Sequence, residues 1–399
     1  MYRLVSPWLR RSTSEVRPAR AGRRLRMPAV IAVLLLAFFD VPGGLATATP
    51  SRNLLAAAQP GASAATTAAL SLRTDPSSTA PVQLVIPAGA VVYVNGGPYN
   101  SVWYDVTYNG SNGFAHGSYL TPSSAPPVRT GAYALTTTAL NLRSGPSTGN
   151  AVLLLIPGGA RVFVRSGPAN GVWFQTTYNN VTGYVHGAYL TQGSATVVRQ
   201  LGTALPVVAL TFDAGSDAGY TSQILDTLRR NGAKATFGMT GQWAQAHPDL
   251  LRRMVAEGHA LINHTFDHRS FTGRSTGTAP LSYTYRANEL WKTEGLLGQL
   301  AATSSKPYFR PPYGDYDTSV LRDVYSRGYS YTVMWSCDTL GWQGLSQAQI
   351  VQRVVDNLKP GAIYLLHVGS ESQDGPALQR IIDAVRARGY GFGTIPAYP

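Results

Sequence analysis

The chain repeats itself. Leu70, Leu72 and Arg73 recur as Leu140, Leu142 and Arg143, Trp103 recurs as Trp173, and the run from His116 to Leu120 recurs from His186 to Leu190. Every pair is 70 residues apart, and no insertion breaks the register between about 70 and 122. Two copies of one structural unit therefore follow one another. Within each copy, β-branched and aromatic runs at 91–94 and 161–164 alternate with turn signals such as Pro87, Gly89, Gly97 and Pro98. That alternation predicts short strands only, closing a small all-β barrel of about 55 residues.

From about residue 203 the texture changes. Apolar strand-like runs at 205–212, 234–239, 329–335 and 362–366 alternate with helical spacing at 220–230, 248–257, 284–301, 316–327, 346–357 and 376–388. Such alternation over about 190 residues predicts a parallel sheet wrapped by helices, open or closed into a barrel. The predicted organisation is a leader at 1–48, a linker at 49–66, repeats at 67–122 and 137–192, linkers at 123–136 and 193–204, and an α/β domain at 205–399. At 399 residues and 44% apolar content the chain can fill several cores.

The net charge of +13 is concentrated at the start, where residues 1–26 hold eight arginines against Glu15. The remainder has no basic run, so nucleic acid is not an expected partner. The apolar run 28–39 ends at Asp40 and is shorter than the roughly 20 residues that span a bilayer. Ala46-Thr47-Ala48 supplies a small-x-small cleavage site, so the leader reads as a signal peptide and the protein as secreted or cell-wall associated. An uncleaved leader would be its contact with a membrane. Cys337 is the single cysteine, which excludes an internal disulfide.

Five polar islands punctuate the α/β region. They are Thr211-Phe212-Asp213, His264 to His268, Arg310 to Gly314, Asp338 with Trp342, and Leu365 to His367. Asp213, Asp338 and His367 stand at or just beyond the ends of predicted strands, where the C-terminal face of a parallel barrel carries chemistry. His264 and His268, four apart, can present two imidazoles to one ion. A divalent ion held there would polarise a carbonyl and lower the pKa of bound water, the chemistry of a hydrolytic metal site.

The repeats, with Leu-x-Leu-Arg, Ile-Pro-x-Gly at Ile86 and Ile156, and Gly-x-x-His-Gly-x-Tyr-Leu from Gly113 and Gly183, resemble the bacterial Src-homology-3 type domain. That resemblance implies cell-wall or peptide binding. Residues 205–395, with all five islands in order, resemble the polysaccharide deacetylase (NodB homology) domain of carbohydrate esterase family 4. It implies a distorted (β/α) barrel and metal-dependent removal of N- or O-acetyl groups from polysaccharides, and the paired repeats, which suit a wall-anchored enzyme, favour N-acetylated peptidoglycan as the substrate. By position, the resemblance makes Asp213 the general base, His264 and His268 metal ligands, and Arg310 the residue that holds the base. His367 becomes the general acid with Asp338 orienting it, and Tyr313 contributes a backbone amide to the oxyanion site. Pro312, Trp342 and Leu365 fall at substrate-binding positions. The implied cofactor is a divalent metal, zinc first and cobalt or manganese as alternatives.

Two positions depart from the family pattern. Ala214 replaces the aspartate that completes the metal triad, and Gly341 replaces the second acidic residue of the fourth island. Asp217, three residues beyond Ala214 on a loop freed by Gly215, is the expected substitute ligand. Without a third ligand the alternative is a non-catalytic wall-binding protein whose barrel holds no metal. A glycoside hydrolase built on Asp213 and Asp338 would leave the histidine pair without a role.

Overall fold

A computed structural model describes residues 58–397, Ser216 excepted. The leader at 1–48 and its cleavage site lie outside the described residues. Among those described, no helix is long and apolar enough to cross a membrane.

Each repeat forms a seven-stranded antiparallel sheet with the same strand order. Repeat 1 buries Leu72, Ile86, Val94 and Ala115, and repeat 2 buries the equivalent Leu142, Ile156, Val164 and Val185. Three stretches that read as linker carry strands instead. Ser63–Thr66 and Ala132–Thr136 are the first strands of the two repeats, each pairing with the long strand and with the last. Thr196–Val198 joins the α/β sheet beside Tyr331–Val333. Ser63–Thr66 is made of small residues that look like linker, yet Ala64 is wholly buried and needs no larger side chain there.

The α/β region builds a parallel sheet. From one end its strands are Thr196–Val198, Tyr331–Val333, Tyr308–Phe309, Ala260–Asn263, Thr236–Met239, Val207–Ala214, Ile363–His367 and Cys337–Asp338, with Gly391–Phe392 beside the start of Val207–Ala214. The strands curl but do not close, because the two end strands do not pair. The expected barrel is thus a half-barrel. Its central strand, Val207–Ala214, is buried along nearly its whole length, as a strand covered on both faces must be. Phe212 stacks on Phe237 with ring centroids 5.4 Å apart, inside a core shared with Leu366, Leu228 and Ile381.

Helices return the chain between strands, and four of the seven α-helices among the described residues start on a side-chain cap visible in the sequence. Asp317 accepts from Val320 N at 2.9 Å, and Ser346 with Gln349 forms a capping box. The 19-residue helix Tyr283–Ala301 starts at Ser282 and sits between repeat 1 and the sheet. Repeats and half-barrel belong to one compact unit. Asp105 of repeat 1, fully buried, accepts from Thr284 N and Thr284 Oγ1, both at 2.8 Å. The Arg129 guanidinium lies 3.7 Å over the Tyr283 ring and 3.5 Å from Asp323, which Arg286 approaches to 2.9 Å.

Candidate active site

Parallel register collects the polar residues at one end of the sheet. Asp213 is level with Gly238 on one neighbouring strand and with His367 on the other, and Asp338 is level with Leu365. Above them opens a cavity of about 590 Å³, lined by Asp213, His264, His268, Tyr313, Trp342 and His367 among others. Asp338 and Leu365 also line it. Glycine is required at 238, because a Cβ there would lie 2.6 Å from Asp213 Oδ1.

Asp213 is held from behind. Arg310, with no exposed surface, donates to Asp213 Oδ1 at 2.7 Å through Nη1. Its other nitrogens donate to Thr211 Oγ1 at 3.0 Å and Val333 O at 3.0 Å. Burial by itself raises the Asp213 pKa, but Arg310, His264 and His367 outweigh it and hold the carboxyl below the usual carboxylate range. A buried carboxylate stays charged here because a fixed guanidinium faces it.

His264 and His268 sit together, ring centroids 4.9 Å apart. His264 Nδ1 lies 2.9 Å from the Arg310 carbonyl oxygen and so carries the proton, which leaves Nε2 bare, 3.5 Å from Asp213 Oδ2. Burial lowers the His264 pKa, and burial with the neighbouring His264 lowers that of His268 to about 3. Both rings are therefore neutral, the form that ligates a metal. The loop between them is pinned from below: buried Glu289 accepts from Phe266 N and Asp267 N, both at 2.9 Å.

Among the described residues the donor set beside the histidines stops at two imidazoles. Ala214 offers a methyl group, and Asp217 is turned elsewhere. Its carboxylate accepts from the Ser370 amide at 3.0 Å and from the Ser370 hydroxyl, tying its loop to the one after His367. The structure thus corrects the expectation that Asp217 stands beside the histidines. Among the described residues no group of three His, Cys, Asp or Glu side chains could hold a metal ion. An ordinary hydrolytic zinc site uses three protein ligands, and two imidazoles stand together here.

On the other wall, Asp338 does not orient His367. Its Oδ1 accepts from Leu340 N at 2.9 Å and its Oδ2 from Trp342 Nε1 at 3.2 Å. It holds the exposed Trp342 ring at the cavity's lip, 6.2 Å from the His367 ring. The carboxylate beside His367 is Asp374, whose Oδ2 is 3.8 Å from His367 Nδ1. Burial lowers the His367 pKa, but Asp374, Asp213 and Asp338 raise it on balance. Tyr313, exposed and held at φ 60°, packs its ring 4.9 Å from that of His268. Pro312 is buried, and its neighbour Pro311 lines the cavity in its place. Asp374 and Gly238 carried no sequence signal: the first looks like a helix-start residue and the second like any strand glycine.

The polysaccharide deacetylase model matches residues 202–332, and the bacterial SH3 domain model matches residues 68–121 and 138–191. A peptidoglycan-N-acetylglucosamine deacetylase of Bacillus cereus is 35% identical over 193 residues, 48% of this chain and 67% of the relative. The chain belongs to the polysaccharide deacetylase family. Its members of this kind are hydrolases of carbon–nitrogen bonds other than peptide bonds. The peptidoglycan-N-acetylmuramic acid deacetylase PdaA of Bacillus subtilis is 32% identical over 191 residues, 47% of this chain and 69% of that protein. Among solved structures, a peptidoglycan N-acetylglucosamine deacetylase in complex with 4-naphthalen-1-yl-N-oxidanyl-benzamide is 31% identical. It covers 51% of this chain and 92% of its own, with a TM-score of 0.47.

Proposed function

We propose that this polysaccharide deacetylase is exported and removes N-acetyl groups from cell-wall peptidoglycan. The observation that carries the reading is a pair that lines one cavity from neighbouring strands: Asp213 held ionised by Arg310, and His367 faced by carboxylates that favour its protonated form. Hydrolysis of an amide needs a base for the water and an acid for the leaving amine. Asp213 takes the proton of the attacking water through Oδ2, the oxygen that Arg310 leaves to the cavity. His367 delivers a proton to the departing amine nitrogen, without which the amine leaves badly.

His264 and His268 would hold the divalent ion, which would supply a water of lowered pKa and a polarised carbonyl. Zinc suits two neutral imidazoles, with cobalt or manganese as substitutes. The Tyr313 amide, on a backbone fixed at φ 60°, is the donor for the oxyanion. Leu365 floors the acetyl pocket and Trp342 lies along the sugar. The repeats bind cell wall and present the glycan to the cavity.

Released acetate from peptidoglycan, chitin oligomers and acetylated xylan tests the reading. Acetate from peptidoglycan, with chain length unchanged and release abolished by chelation, is the expected result. No acetate from any of the three would overturn it. The missing donor at Ala214 favours one rival, a wall-binding protein without metal. Purified protein with no bound ion and no activity after zinc is added would establish that rival.

A further inference from the structure

Among the described residues, the buried Nδ1 of His367 has no hydrogen-bond partner. A general acid in that position needs something to aim its ring, and Asp338, the expected group, is engaged with Leu340 and Trp342. What faces Nδ1 is Asp374, the first residue of the helix Asp374–Arg386, with no exposed surface. Its Oδ2 accepts from the His367 backbone amide at 2.8 Å and from Ser372 Oγ at 2.9 Å, and its Oδ1 lies 2.7 Å from Thr339 Oγ1. The carboxylate is thus fixed on three sides and still stands 3.8 Å from the ring nitrogen.

The place it occupies is informative. A Cβ on Gly341 would lie 2.5 Å from Asp374 Oδ1, 2.6 Å from its Cγ and 2.8 Å from Ser372 Oγ. The Asp374 carboxylate therefore fills the space into which a side chain at 341 would project. Position 341 is also where the family pattern has the acidic residue this chain lacks. The loss at 341 and the carboxylate from the following helix are two halves of one substitution. A side chain at 341 would force the Asp374 carboxylate and Ser372 Oγ to shift.

We propose that Asp374 is the positioning carboxylate of His367, supplied from the helix after the last island in place of the missing acid at Gly341. It touches neither water nor glycan; it acts by fixing the imidazole that does. The proposal rests on the reading of His367 as the general acid. Three carboxylates surround that ring, Asp374, Asp213 and Asp338, and Asp374 alone is assigned the aiming role.

The test uses the full-length, metal-loaded protein in four forms: wild type, Asp374→Asn, Asp374→Ala, and Asp374→Ala combined with Gly341→Asp. Asp374→Asn keeps the shape and the acceptor for the His367 amide while removing the charge. Its kcat should fall about 10- to 100-fold, part of the roughly 10²–10⁴-fold that general acid catalysis supplies. KM should hold, and the basic limb of the pH profile should move to lower pH. The double variant, in which the clash is relieved, should recover at least tenfold over Asp374→Ala. Nitrogen-15 spectra of the His367 imidazole, assigned with His367→Gln, give a readout that does not depend on turnover. A folded Asp374→Asn protein with unchanged kcat, unchanged basic limb and unchanged His367 signal would overturn the proposal. So would a double variant no better than Asp374→Ala. If the wild type releases no acetate, the imidazole spectra still decide the Asp374–His367 link, and the functional reading alone falls.

Discussion

Asp213 and His367 face each other across neighbouring strands, and their surroundings push them in opposite directions. Asp213 lies below its usual pKa despite burial, and His367 lies above its own despite burial. For activity the two shifts widen the working range on both sides. The acid limb of kcat/KM should fall below the usual carboxylate value of about 4, and the basic limb above the usual histidine value of about 6.5. A pH profile with a single limb near 6.5 falling toward acid would contradict these assignments. The same shifts act on stability with their own signs. Asp213, lowered in the fold, stabilises above its unfolded pKa, and this is lost as pH falls through the folded value. His367, raised, stabilises below its unfolded pKa, and this is lost as pH rises through the folded value.

The elements explain why these residues meet. Strand order puts Val207–Ala214 beside Ile363–His367, which brings the first and fifth islands together, and Ala260–Asn263, two strands away on the other side, leads into the second at the same edge. The helix Tyr283–Ala301 serves twice: its first turn docks repeat 1 through Thr284, and Glu289, about one and a half turns on, receives the amides of the His264–His268 loop. Burial, with Asp267 close by, pushes the Glu289 carboxyl up to about 7. Glu289→Ala would leave two loop amides without their acceptor and should lower stability by about 1–3 kcal/mol. Glu289→Gln, which keeps an acceptor oxygen, should cost much less. Equal thermal shifts for the two would show that the amide contacts do not matter. Much of this was legible in the sequence, because βα alternation and strand-end polar residues have fixed periods. Three things were not. Small-residue strands such as Ser63–Thr66 carry no apolar alternation, and Asp217 gave no sign that it would turn to Ser370. Asp374 acts through space cleared by a glycine 33 positions earlier, which no local pattern records.

At the scale of the whole molecule, repeats and half-barrel share buried polar contacts and form one unit. Asp105 is the clearest case: fully buried, it accepts from Asn95 Nδ2 at 2.8 Å as well as from Thr284. Burial raises its pKa against those hydrogen bonds. Asp105→Ala should remove about 2–4 kcal/mol, since it leaves the Thr284 amide buried without a partner at a helix start. Calorimetry should show one cooperative transition at lower temperature. A variant with unchanged melting, or two independent transitions in the wild type, would contradict a shared unit. A rigid seat for the repeats also holds them in one orientation relative to the cavity. The central claim is chemical: one ionised carboxylate at 213 drives hydrolysis in a site one metal ligand short of the usual three. Acetate released from peptidoglycan by the wild type and by Asp213→Asn, at equal metal content and equal melting temperature, tests it most directly. The account predicts steady release by the wild type and a loss of at least about 100-fold in the variant. Equal release by both, or none by either, would contradict it.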